Sequence, residues 1–306
     1  MLITVIICTY NRAKFLPIAL NSFTNQTLDN KVYEIIIVNN NSTDNTEKIC
    51  KEFITNHPEL NVKYFIEKNQ GLSFSRNRGF RESSCGIIAY LDDDAYVEDD
   101  YLENIISFFQ SNDTIAVGGQ IFPVYDKGKE EPIWLSKYVW GVVGKVDFGN
   151  DVILFPEHKY PAGSNMIIDR NVLEESGLFN TKLGRIGRFG IASEEKDLFD
   201  RIRKKVQGKI YYLPNIPVYH IIEEQKLSGD YLKKFCIGIG LGEKVRTRHT
   251  GFKELFEKFI EYIFKFVAAF GLALLYAIKF EFPKAKYIVL IRYYILSGFF
   301  KSENKQ

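Results

Sequence analysis

The first 120 residues alternate short apolar runs with stretches of helical spacing. Ile3 to Thr9, Tyr33 to Asn39, Val62 to Glu67, Ile87 to Leu91 and Ile115 to Gly119 read as strands. Between the first two, Leu16, Leu20 and Phe23 recur at the interval of one helix face. Between the second and third, Asp44 with Glu47 forms a capping box ahead of Ile49 and Phe53. Strands alternating with helices predict βαβ units and a doubly wound, mostly parallel sheet of the α/β class. In such sheets ligands bind outside the carboxyl ends of the strands, where strand order reverses.

Residues 120–225 are less regular and carry Pro123, Pro132, Pro156, Pro161, Pro214 and Pro217. The one clear helix there starts near Glu194, with Leu198, Ile202 and Val206 on its buried face and basic residues at its C-terminal end. From Phe252 the pattern becomes that of an amphipathic helix, with Glu257, Lys258, Glu261 and Lys265 off the apolar stripe. Its uninterrupted apolar part, Phe266 to Ile278, falls short of the ~20 residues a spanning helix needs. Pro283 breaks the pattern before a second aromatic run from Tyr287 to Phe300, and Lys279, Lys284, Lys286, Arg292 and Lys301 give this tail a basic edge. Two readings weigh alike: a surface for anionic lipid, or a helical hairpin packed on the body of the protein or on a partner subunit.

Composition narrows the class without naming it. The chain has 306 residues, 46% hydrophobic and 25% charged, as an ordinary globular protein does. Forty basic against thirty-eight acidic residues leave a charge of +2, which offers no field for nucleic acid. Cys8, Cys50, Cys85 and Cys236 are scattered, without metal-ligand or disulfide spacing, and read as reduced core thiols in a cytoplasmic protein. Met1 leads straight into a strand, and no signal peptide is visible.

Candidate chemistry gathers at the strand ends. Asp92, Asp93 and Asp94 follow the run that ends at Leu91. Like charges this close need solvent, hydrogen bonds or a metal, and oxygen ligands suit Mg²⁺ or Mn²⁺. Alone, such a loop is more often a solvated turn or a helix N-terminal charge device. The first strand ends in Cys8, Thr9, Tyr10, Asn11, Arg12 and the second in Asn39, Asn40, Asn41, Ser42, Thr43, Asp44. Both clusters open a helix, where they serve as N-caps or as a nucleotide-binding surface. Asn69 to Gly79 follows the third strand and brings Arg76 and Arg78, which suit a diphosphate or a base; one at least of them is equally a surface charge.

Thr-Tyr-Asn-Arg, Val-Asn-Asn-Asn-Ser-Thr-Asp, Asn-x-Gly with Ser-Arg-Asn-x-Gly, and Leu-Asp-Asp-Asp-Ala, in this order, resemble the nucleotide-sugar half of an inverting family 2 glycosyltransferase with the GT-A fold. The resemblance continues through Gly163 to Met166 and Glu194 to Leu198, covering roughly Leu2 to His220. It implies a GT-A domain over 1–225, with a nucleotide-binding half at 1–119 and an acceptor half at 120–225, followed by a helical region at 226–306 that associates with membrane or mediates oligomers. Thr9, Tyr10 and Arg12 match first-strand nucleotide contacts, and Arg76 matches an arginine near the nucleotide. Asp92 and Asp94 match the DxD pair, Asp92 near the ribose and Asp94 on the metal, with Asp93 able to substitute in either role. His220 matches a histidine sometimes found near the diphosphate or metal, although a lone histidine at a strand end is more often structural. Asn39 stands where the family commonly has an aspartate that meets the base; an amide still accepts and also donates, so UDP leads with dTDP and GDP open.

The family's acidic pair appears as Glu194 and Glu195. The resemblance implies Glu195 as the base with Glu194 as the close alternative, and Gly184 to Gly190 resembles a mobile acceptor loop. The alternative for the two glutamates is a favourable charge at a helix N-terminus. The implied function is inverting transfer from a nucleotide-diphosphate sugar to a saccharide or lipid-linked acceptor in polysaccharide biosynthesis, with Mn²⁺ or Mg²⁺, at the cytoplasmic face of a membrane. Two other classes remain open: a non-catalytic sugar-nucleotide-binding or assembly subunit, and a nucleotidyltransferase, which would want a glycine-rich loop with lysine after the first strand.

Overall fold

The computed structural model describes residues 1–186, 189–191 and 193–301. The chain divides into two compact units that interleave in sequence: 1–123 with 144–181 and 194–221, and 124–143 with 182–193 and 222–306.

The first unit is built on β1 (Ile3–Thr9), α1 (Leu16–Asn21), β2 (Tyr33–Asn39), α2 (Thr46–Asn56), β3 (Val62–Ile66), α3 (Leu72–Glu82), β4 (Ile87–Asp92), β5 (Ala95–Val97), α4 (Tyr101–Ser111) and β6 (Ala116–Tyr125). β7 (Ile153–Leu154), β8 (Met166–Asp169) and α5 (Arg170–Ser176) follow. After β9 (Gly184–Ile186) and its antiparallel partner β10 (Phe189–Ile191), which belong to the second unit, come α6 (Glu194–Lys205) and β11 (Ile210–Ile222). The sheet runs β3-β2-β1-β4-β8-β6-β11-β5, with β7 on β11. β3, β2, β1 and β4 are parallel, as the alternating pattern predicts. β8 enters antiparallel between β4 and β6, and β5 pairs antiparallel with β11. The sheet is therefore mixed in its second half, where the proline-broken sequence shows no period.

Burial explains why the first strands are readable. β2 is buried along its whole length and β1 nearly so, as expected of parallel strands covered by helices on both faces. One charge is carried inside: Glu34 of β2, fully buried, accepts from Thr4 Oγ1 (2.7 Å), Ser84 N (2.7 Å) and Lys63 Nζ (2.6 Å). Burial works against its ionised form, but these donors outweigh it and hold the carboxyl down at about 2. Strand order reverses at β1, which has β2 on one side and β4 on the other, with Cys8 opposite Asp92. That switch point is where an α/β sheet opens a crevice.

The second unit holds α7 (Gly229–Thr250), α8 (Phe252–Ile278) and α9 (Phe282–Phe300). Leu232, Cys236, Tyr262, Ile288, Ile295 and Phe299 form its core with Trp134 and Val139. α8 and α9 follow the periodicity and Pro283, which falls in the first turn of α9. The charges off the α8 stripe have a use: Lys258 meets Glu243 (3.5 Å) and Glu261, and Glu243 also holds Arg246 (3.0 Å).

Candidate active site

The aspartate triplet turns out of the sheet between β4 and β5. Antiparallel pairing sets Ala95 opposite His220, and Ile221 N donates to Asp94 O (2.8 Å). This register, between residues far apart in sequence, puts His220 Nε2 3.1 Å from Asp94 Oδ1. Donor atoms of Asp92, Asp94 and His220 all lie within 4.8 Å of one another. Two carboxylates and an imidazole fit Mn²⁺ or Mg²⁺, with the nitrogen favouring Mn²⁺. His220 Nδ1 is buried with no hydrogen-bond partner among the described residues, and Gly144 explains the fit behind the ring. A Cβ at Gly144 would stand 3.0 Å from Nδ1, and its φ of +69° also favours glycine.

Asp93 and Asp94 are buried. Arg12 offsets part of their charge, with Nη2 2.9 Å from Asp94 Oδ2 and Nε 3.9 Å from Asp93. Burial and the neighbouring Asp94 push the Asp93 carboxyl up to about 7, against the pull of Arg12. Asp93 is not among the three residues whose donor atoms converge, and it shares Arg12 with Asp94.

Arg76 lies beneath the same edge, on α3, and is 2% exposed. Nη2 reaches Glu195 Oε1 (3.1 Å) and Asp92 Oδ1 (3.9 Å), while Nη1 reaches Glu194 Oε1 (3.4 Å). Burial disfavours its charge, but the carboxylates of Glu195, Glu194 and Asp92 outweigh that and raise its pKa. The pair passes through a notch at Gly163. A Cβ there would stand 2.8 Å from Glu195 Cδ and nearer still to Glu195 Oε1 and Arg76 Nη2. Glu194 and Glu195 open α6, with Ser193 held at φ +92° just before them. Arg78, the other arginine of the α3 motif, pairs with Glu82 on its own helix (2.7 Å) and is a surface charge.

Many polar residues of the strand-end clusters are occupied in holding the loops. Asn11 Oδ1 accepts from Thr43 N (2.8 Å), and Asn11 N donates to Ser42 Oγ (2.9 Å). Asp44 accepts from Ala13 N (3.1 Å) and Thr46 N (3.0 Å), so it joins two loops, and the residue at the α2 N-cap is Asn45. The expected box of Asp44 with Glu47 is therefore replaced by this bridge. Asn39 is 2% exposed; its Oδ1 accepts from Ser42 N (2.9 Å) and its Nδ2 donates to Tyr64 OH (2.8 Å). Thr9 is buried at the end of β1, with Tyr10 partly exposed beside it. Asn165, fully buried, accepts from Tyr101 OH (3.0 Å) and donates to Ile216 O (2.8 Å). The resemblance marked Gly163, but not its fit against the Arg76–Glu195 pair; nothing in the sequence marks Gly144 or Tyr64. Of the stretch Gly184 to Gly190, expected as an acceptor loop, residues 187 and 188 lie outside the described residues.

The fold and this edge define a GT-A glycosyltransferase framework. The family model for Glycosyl transferase family 2 matches residues 4–177, and the chain belongs to that family. It is 26% identical over 239 residues to the Glucosyl-dolichyl phosphate glucuronosyltransferase of Haloferax volcanii, covering 76% of this chain and 73% of the relative. It is 28% identical over 217 residues to the Minor teichoic acid biosynthesis protein GgaB of Bacillus subtilis, covering 63% of this chain but 22% of that longer protein. Among solved structures, the Mannosyltransferase PcManGT from Pyrobaculum calidifontis in complex with GDP-Man and Mn²⁺ aligns with a TM-score of 0.66 at 16% identity, over 97% of this chain and 85% of that one. At that identity the likeness is one of fold.

Proposed function

We propose that this protein transfers a sugar, with inversion, from a nucleotide-diphosphate sugar to a hydroxyl of a saccharide or lipid-linked acceptor. The observation that carries the reading is the link through Arg76 between Glu195 and Asp92 of the Asp92, Asp94, His220 group. In-line attack requires a base on the acceptor side and charge neutralisation on the leaving-group side, and neighbouring Glu195 and the Asp92, Asp94, His220 group have the chemistry to supply them. Asp92, Asp94 and His220 would hold Mn²⁺ or Mg²⁺, whose chemistry in that position is to neutralise a diphosphate. Glu195 takes the proton from the acceptor hydroxyl, with Glu194 as the alternative base. Thr9, Tyr10 and Arg12 line the nucleotide side. Asn39, engaged by Ser42 and Tyr64, leaves base preference open among UDP, dTDP and GDP, with UDP first.

The acceptor class draws on the relatives, one named for a glucosyl-dolichyl phosphate substrate and another for teichoic acid biosynthesis. The test is the double substitution Glu194→Gln with Glu195→Gln. Transfer should vanish while the melting shift produced by UDP with Mn²⁺ is unchanged. Transfer near the wild-type rate would remove the base assignment, and no shift with UDP, dTDP or GDP would remove the nucleotide reading altogether.

A further inference from the structure

We infer that α8 lies along the surface of an anionic lipid bilayer. The inference is independent of the transfer reaction and rests on the second unit alone. Phe252, Phe256, Phe264, Val267, Leu274 and Ile278 are between 54% and 83% exposed. At 100° per residue they and their exposed apolar neighbours on α8 fall within an arc of roughly 140° that runs the length of the helix, ~40 Å. On the other side Tyr262 and Ala269 are buried, Tyr262 edge-on against Phe299 of α9. At on the order of 100 Å² per side chain, the stripe exposes roughly 900 Å² of apolar surface. The largest patch on an ordinary monomer is about 300–600 Å².

Charge identifies what covers it. Between Phe252 and Lys301 there are eight basic and four acidic residues, in a chain whose net charge is only +2. Two of those acids are engaged locally: Glu261 pairs with Lys258 and Lys265, and Glu281 with Lys284 (2.6 Å). Lys279 and Lys286 are exposed, with no ion-pair partner among the described residues. Next to Lys279 in the α8–α9 turn stand Phe280, 81% exposed, and Phe282, 59% exposed. Aromatic rings beside unpaired lysines match the boundary between acyl chains and anionic headgroups. A second copy of the chain would instead set this basic face against itself. By length and composition alone α8 can cross a membrane. Glu261 and Lys265 beside the stripe favour the plane instead, since a spanning pose over roughly the last twenty residues of α8 would draw this pair into hydrocarbon.

The test is co-sedimentation of the full chain with phosphatidylcholine vesicles, with and without roughly one-third phosphatidylglycerol. The protein should pellet with the anionic vesicles and be released by alkaline carbonate. Removing both Lys279 and Lys286 (to Gln) should lower the partition by roughly twentyfold or more, at about fivefold per lysine. Phe264→Asp with Leu274→Asp should abolish it, with the melting temperature kept within a few degrees, because both side chains are exposed. Failure to pellet with either vesicle overturns the inference. So does concentration-dependent dimerisation that the aspartate pair removes without vesicles, and retention through carbonate would replace the in-plane pose with a spanning one.

Discussion

Gly163→Ala tests the link between Arg76 and Glu195 with one methyl group. The new Cβ would stand 2.8 Å from Glu195 Cδ and closer to the two interacting heteroatoms, so one partner has to move by more than an ångström. Arg76, with a 3% exposed side chain, is pinned under Asp92 and Glu194; the Glu195 side chain, 23% exposed, is the less enclosed of the two and the one that gives way. The loss of a partly exposed ion pair costs about 1 kcal/mol or less, and Glu194 remains to pair the buried guanidinium. Misplacing a reacting group by about 1 Å costs on the order of 10²-fold in rate, or about 2.7 kcal/mol in the barrier. Steady-state transfer assays should therefore show kcat down about 100-fold, with the nucleotide dissociation constant within twofold and the melting temperature within a few degrees. Three results would refute the reasoning in different ways. A kcat within threefold of wild type means that the pair does not aim Glu195. A matching loss of nucleotide affinity means that Arg76 serves the donor, and a collapse in melting temperature means that the notch is structural.

His220→Ala removes the nitrogen donor beside Asp94; the Mn²⁺ concentration needed for half-maximal transfer should rise at least tenfold, and an unchanged titration would take His220 out of the cation site. Glu34 gives a stability test away from that site. Its carboxyl is held near 2 when folded against an ordinary value of 4.5, so its contribution is complete above about pH 4.5 and is lost as pH falls towards 2. With allowance for the partial exposure of Lys63, this is ~2 kcal/mol. Glu34→Gln should lower stability by about that amount at pH 7 and flatten the acid limb of a denaturation series between pH 5 and 2; parallel limbs would contradict the assignment.

The parts of this molecule legible in the sequence are those whose determinants are local. β1 and β2 are recovered to the residue because strands covered on both faces must be apolar throughout, with turn-forming residues at their ends. α7 falls within the helical region expected at 226–306, but its bounds are not legible because Gly238, Gly240 and Gly242 depress its helical signal, and packing of the helix restores what propensity lacks. β8 went unread because four residues in a proline-broken stretch have no period to detect. The site divides in the same way. The aspartates, Arg76 and the glutamate pair were visible as residue types at strand and helix ends. That Asp94 meets His220 depends on the β5–β11 register, and that Arg76 meets Glu195 depends on α3 and α6 converging at Gly163.

The polar strand-end motifs carry two jobs that one sequence string cannot separate. Asn40 donates to Glu67 O (3.0 Å) and Asn69 O (2.7 Å) and accepts from Gly71 N (2.7 Å), and so anchors the loop that leads into α3. Asn77 exchanges two hydrogen bonds with the backbone of Phe179 (2.8 and 2.9 Å) and fixes α3 at its middle, next to Arg76. Neither asparagine touches the carboxylates, yet both hold the helix that carries Arg76. A buried guanidinium cannot search for its partners, because each alternative rotamer would leave its charge uncompensated in a dry setting. Its geometry is therefore only as good as the placement of α3. The asparagines are amides serving as backbone surrogates, each satisfying loop groups that water would otherwise have to reach.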